Sequence, residues 1–146
     1  MKPIGYWLNR TDKALTLHMN DMLEHFTLTR ISWQILNVIQ DGPDTTDIDV
    51  LSTLSANADG PTLTSAIDTV LADGWATRPG PGRLDLTRDG RQRLARVAER
   101  VDAFRQLSTT GISPDEYRTA VRVLERMTHN IETATSTDLT PARRVR

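Results

Sequence analysis

The sequence contains no cysteine, and that absence removes disulfide frameworks, thiol catalysis and cysteine-ligated zinc together. Aromatic residues are only 5%, too few for a groove that stacks single-stranded bases. No apolar run approaches the roughly 20 residues of a membrane span, and the first ten residues lack the core of a signal peptide. A cytoplasmic protein without membrane contact is therefore expected. No glycine-rich loop follows a strand, and no serine sits in a nucleophile elbow, so phosphate cradling and acyl transfer lack their usual supports. No catalytic residue, metal or cofactor is expected, and the chain is not read as an enzyme. The net charge of −1 points to no partner by itself.

What is present is an ordered composition, with 38% hydrophobic and 25% charged residues in 146 positions, enough for one core. Helical periodicity runs through it. Ile4, Leu8, Leu15, Met19, Met22 and Phe26 form the stripe of a first helix. Thr29 caps a second, which buries Trp33, Leu36 and Ile39 and ends at Gly42-Pro43. A short third helix starts near Thr46 and buries Val50, Leu51 and Leu54. Pro61 opens a fourth, with Leu63, Ile67, Val70 and Leu71 inside, and Gly74 stops it. Residues 75–78 and 83–86 flank Pro79-Gly80-Pro81-Gly82 as a very short hairpin. Thr87 caps a long fifth helix, with Leu94, Val97, Val101, Phe104 and Leu107 inward. Ser113 and Glu116 form a capping box that opens a sixth, striped by Tyr117, Val121, Leu124 and Ile131.

This order predicts a mostly α fold: six helices and a small two-stranded β-wing, arranged as a winged helix-turn-helix. The outer helices carry more apolar stripe than so small a core can cover, so an obligate-type homodimer is expected. Residues 1–28 and 106–134 would form a helical dimerisation module and 29–90 the DNA-binding domain. Residues 87–108 would connect them, and 135–146 would be a flexible basic tail.

Four segments, in order, resemble the MarR family of transcription regulators over residues 4–133. Ile4-Gly-Tyr-Trp-Leu-Asn-Arg10 resembles its first helix. Leu28 to Leu36 resembles LTxxQWxVL, with Ser32 where glutamine is usual. Ala66 to Trp75 resembles LVDRLxxxGLV, and Leu84 to Arg91 the LTxxG at the wing's exit. The resemblance implies a homodimer on the double-stranded DNA of a palindromic operator, acting as a repressor relieved by a small aromatic or anionic effector. The wing departs from the family's DxR pattern, with Arg78 and Gly80 at those positions, and Ser65 replaces the usual basic residue of the recognition helix.

Charge is unevenly spread. Residues 31–77 carry seven aspartates and no basic residue, whereas residues 78–105 carry eight arginines against four acids. DNA affinity comes largely from neutralised phosphates, so an acidic reading head is unusual. The residues expected to meet DNA are Arg78, Arg83, Arg88 and Arg91 beside the groove and Thr62, Thr64, Ser65 and Thr69 on the recognition helix. Asp68 is expected to turn from phosphate and bond an arginine or a backbone amide. Trp7, His18, Met22 and Trp33 are candidates for the effector pocket, against the plainer reading that Met22 and Trp33 are core. His18 and His25 share a face of the first helix but stand about 10 Å apart along it, too far to share one zinc ion. Two function classes stand: a DNA-binding regulator, and a winged-helix dimer without DNA binding that acts through protein contacts.

Overall fold

The computed structural model describes residues 1–137. Its element order is α1 (Ile4–Glu24), α2 (Arg30–Asp41), α3 (Asp47–Thr53), α4 (Gly60–Ala72), β1 (Ala76–Thr77), β2 (Asp85–Leu86), α5 (Arg88–Ser108) and α6 (Pro114–Thr137). The expected six helices and two-stranded wing are all present. Of the basic tail, residues 138–146 lie outside the described residues, and residues 135–137 continue α6 rather than breaking from it.

The chain divides into two compact units, Met1–Ala103 and Phe104–Arg146, so the boundary falls inside α5. Helix α1 belongs with the first unit because Met22 and Leu23 are buried at its C-terminal end, where it packs on α2.

In the first unit α2, α3 and α4 surround one core. Leu36, Ile35, Val50, Leu63, Ile67 and Val70 are essentially inaccessible. Thr29 caps α2 as expected, accepting from the Ser32 amide at 3.2 Å. The buried face of α2 runs through Ser32, Ile35, Leu36 and Ile39, and Trp33 is only half-buried beside it. Helix α3 opens on a capping box between Thr46 and Asp49. Helix α4 begins one residue before Pro61, at Gly60, with Asp59 accepting from the Thr62 amide at 2.8 Å. Gly74 takes a φ of +76°, the left-handed turn that glycine permits at a helix end.

The wing pairs Ala76 with Leu86 and Thr77 with Asp85, only two residues per strand. A third segment joins it, because Thr46 bridges antiparallel to Arg83. Thr87 caps α5 by accepting from the Gly90 amide at 2.8 Å. Gly90 is required there: a Cβ would stand 2.0 Å from the Trp75 carbonyl oxygen. The inward stripe of α5 ends at Val101. Phe104 is half-buried, and Leu107, expected inside, is 65% exposed.

The second unit holds the end of α5, a turn and α6. The expected capping box is formed, with Ser113 and Glu116 exchanging amide bonds at 3.0 and 3.1 Å. Tyr117, Val121 and Ile131, read as an inward stripe, are exposed, and Leu124 is half-buried.

Candidate nucleic-acid interface

The α3–α4 pair with its adjoining wing forms the candidate reading surface. Of the four hydroxyls expected on α4, two serve the helix itself. The Thr62 hydroxyl and amide both hydrogen-bond Asp59, which lowers that carboxyl below its ordinary value. Thr69 Oγ1 donates to the Ser65 carbonyl at 3.1 Å, a back-bond within the helix. Thr64 and Ser65 are exposed, and among the described residues their hydroxyls make no intramolecular hydrogen bond. They remain the side chains of α4 able to donate outward.

The arginines divide similarly. Arg78 grips Asp47 with both terminal nitrogens, Nη1 to Oδ1 at 2.7 Å and Nη2 to Oδ2 at 2.9 Å. This bond holds the Asp47 carboxyl below its ordinary value, outweighing the opposing effect of burial, and raises the Arg78 guanidinium in turn. Arg83 Nη2 pairs with Asp44, and Arg91 Nη2 with Asp85 at 2.8 Å. Only Arg88, of the four, has no ion pair among the described residues. Asp68 is exposed and forms neither expected bond there; it acts on Arg78 through its charge alone.

The Arg78–Asp47 and Arg83–Asp44 pairings were missed in the sequence because they join residues 31 and 39 positions apart. The available signal was a stretch with seven aspartates followed in sequence by one with eight arginines. Arg93, also unremarked, places its guanidinium carbon 3.7 Å from the Trp75 ring centroid and donates to the Asp73 carbonyl at 3.1 Å. It thereby joins α5 to the end of α4.

The four effector-pocket candidates do not converge within one chain. Trp7 stands in the first turn of α1, edge-on to Tyr6 at 5.1 Å and half-exposed. Met22 is core, and a continuous helix separates it from Trp7 by about 22 Å. His18 is exposed and Trp33 half-buried. A polar cleft of about 460 Å3 does open between the α2–α3 turn and the wing, lined by Ile39, Pro43, Asp44, Pro79, Arg83 and Arg91 among others. None of the four candidates lines it. Among the described residues, no group of three or more His, Asp or Glu side chains could hold a metal ion, and no helix is long and apolar enough to cross a membrane.

The sequence matches no protein-family model and no curated protein. The structure matches many solved ones. Escherichia coli MarR in its reduced form aligns with a TM-score of 0.69 at 21% identity, over 87% of this chain and 94% of that one. This is the MarR fold. A MarR-family protein of Mycobacterium tuberculosis, solved in complex with DNA, gives 0.70 at 20% identity over 87% and 98% of the two chains. The transcriptional repressor CouR, bound to p-coumaroyl-CoA, gives 0.71 at 21% over 86% and 91%. Each of these likenesses spans 86% or 87% of this chain.

Proposed function

We propose that this chain is a homodimeric, sequence-specific DNA-binding transcription regulator of the MarR type, working in the cytoplasm and without catalytic activity. The observation that carries this reading is the free pair Thr64 and Ser65 in the early turns of α4, the part of a recognition helix that reaches base edges. Arg88 at the start of α5 and Arg83 in the wing are the basic groups nearest to serving phosphates. The similarity to a DNA-bound MarR-family structure supports the same assignment. Dimerisation is supported by the exposed stripes Ile4, Leu8 and Leu15 on α1 and Tyr117, Val121 and Ile131 on α6. Large apolar side chains left in water each forgo about 1.5–3 kcal/mol of burial. A small aromatic or anionic effector would be read through the dimer, consistent with the ligand carried by CouR.

The second reading, a winged-helix dimer that binds protein instead of DNA, is favoured by one observation. Three of the four expected phosphate-binding arginines already hold carboxylates. The two readings separate in one experiment: select duplexes from a randomised pool, then titrate wild type and Thr64→Ala against a selected operator and a random duplex. The regulator reading expects wild type to prefer the operator, and Thr64→Ala to lose about 1–3 kcal/mol of that preference with little change on random DNA. No preference by wild type overturns it in favour of the protein-partner reading.

A further inference from the structure

The acidic reading head is the observation that DNA binding leaves unexplained. Seven aspartates in a stretch without one basic residue should repel a phosphate backbone. The structure gives most of them other tasks. Asp49 and Asp59 cap α3 and α4, and Asp44 and Asp47 face the wing.

The wing needs such support. Its own ladder is two residues long, and an isolated two-stranded hairpin is marginal in water. Its tip, Pro79-Gly80-Pro81-Gly82, contains two residues without an amide donor. The α2–α3 connection supplies what the ladder lacks, at both arms. On the returning arm, Leu84 donates its amide to the Thr45 carbonyl at 2.8 Å and the Asp47 amide donates to the Gly82 carbonyl at 3.2 Å. Asp44 adds a side-chain pair to Arg83 there. On the outgoing arm, where no backbone bridge to this connection exists among the described residues, the bidentate Asp47–Arg78 pair takes its place. That pair is the best-formed ion pair of the unit, with both side chains about one-third exposed. The fork-to-fork geometry fixes direction as well as distance.

We propose that Arg78 is a positioning residue and not a phosphate contact: with Asp47 it clamps the wing against the helix-turn-helix and so sets where the wing stands relative to α4. This inference rests on the DNA-binding reading for its consequence, though not for the clamp itself. It reverses the sign expected from simple electrostatics. Removing a negative charge from a DNA-facing surface should strengthen binding to every duplex. Removing the Asp47 carboxylate should instead weaken operator binding, because the wing loses its fixed position.

The test uses the full chain with Asp47→Asn, Arg78→Ala, both together, and the exchanged pair Asp47→Arg with Arg78→Asp. Each is titrated against a selected operator and a random duplex at several salt concentrations. A clamp predicts that Asp47→Asn and Arg78→Ala each lower operator preference by roughly three- to thirtyfold, with two partly exposed pairs acting in one dimer. The double variant should be no worse than either single one, the exchanged pair should recover part of the preference, and the salt slope should stay unchanged. If Arg78 holds phosphate, Arg78→Ala lowers the slope by about two per dimer and Asp47→Asn tightens binding, which overturns the proposal. Hydrogen exchange on the free protein tests the clamp without DNA. In Asp47→Asn the amides of Leu84 and residue 47 should exchange faster while those of α4 do not. Unchanged exchange at both amides overturns the clamp even where DNA binding fails altogether, whereas faster exchange with no operator preference in wild type retains the clamp and removes only the regulator reading.

Discussion

The two units of the chain solve the burial problem in opposite ways. Among the described residues, every buried apolar side chain lies between Met22 and Val101, whereas α6 buries none of its own. Yet α6 carries a regular stripe, with Tyr117, Val121, Leu124 and Ile131 at helical spacing. The exposure of a stripe of that regularity is the observation on which the proposed dimer rests. The first unit has its own core and carries the candidate reading surface. On the proposed reading, the second gains stability from the partner subunit that covers it.

The largest expected effect breaks this comparison at α6. Replacing Tyr117 and Val121 together with glutamate places charges on the proposed dimer face while leaving the core of the first unit untouched. Light scattering should report wild type at twice the chain mass of 16.4 kDa and the variant at one chain mass. Operator binding should fall at least 100-fold, since a palindrome needs two linked heads. A wild-type protein of one chain mass at micromolar concentration would falsify the dimer.

A smaller effect sharpens the contrast between the units. Leu36 is fully buried among α2, α3 and α4, so Leu36→Ala should cost about 2–5 kcal/mol of stability at any protein concentration. Val121→Ala removes a comparable group from an exposed face. Its cost should appear only in the concentration dependence of melting, because it acts through association. Equal, concentration-independent losses for the two variants would show that α6 is covered within its own chain.

Smaller again is the effect at the joint between α5 and the wing. Gly90→Ala drives a methyl to within 2.0 Å of one backbone atom and 2.8 Å of another, both in Trp75. Backbone cannot step aside as a side chain would, so the loss should reach the upper part of the 1–3 kcal/mol typical of overpacking. Because Trp75 lies beneath Arg93, its fluorescence should shift in the same variant. Unchanged emission and melting would mean that α5 relaxes away at no cost.

The sequence disclosed most of what is local. The capping boxes and caps at Thr29, Thr87 and Ser113 were legible because each is decided within three or four residues. Phase was harder. Hydrophobicity alone places Trp33 inside α2, but the face set by Ile35, Leu36 and Ile39 passes through position 32. Ser32 is tolerated there because its hydroxyl accepts from Thr29 at 3.0 Å. The stripe of α5 continues past the point where the core ends, so Leu107 followed the pattern and not the burial. Least legible was the candidate site. A charge tally sees an acidic stretch beside a basic one, but the pairing of Asp47 with Arg78, 31 positions apart, exists only once α3 and the wing are adjacent. The helix-capping bond of Thr62 was equally invisible in a list of hydroxyls able to meet DNA.

The smallest expected effect tests whether the second unit has any stabilisation of its own. Its capping box places the Glu116 carboxylate on the Ser113 amide, and the Ser113 backbone and side-chain bonds lower that carboxyl below its ordinary value of 4.5. A depressed carboxyl contributes stability that is fully present above its unfolded value and is lost as pH falls through the folded one. Glu116→Gln keeps an acceptor of the same shape but not the charge, so it resembles the protonated wild type at every pH. Wild type should therefore melt slightly higher than Glu116→Gln at pH 7, and the gap should close as the buffer is taken below about pH 4. Asp59 in the first unit is also lowered, by its bonds to Thr62, and so also loses its contribution as pH falls. Making both proteins in an Asp59→Asn background removes that contribution and leaves Glu116 alone to close the gap. A gap that persists unchanged to pH 3 would mean that the Glu116 charge contributes nothing, and that α6 is held entirely by what covers it.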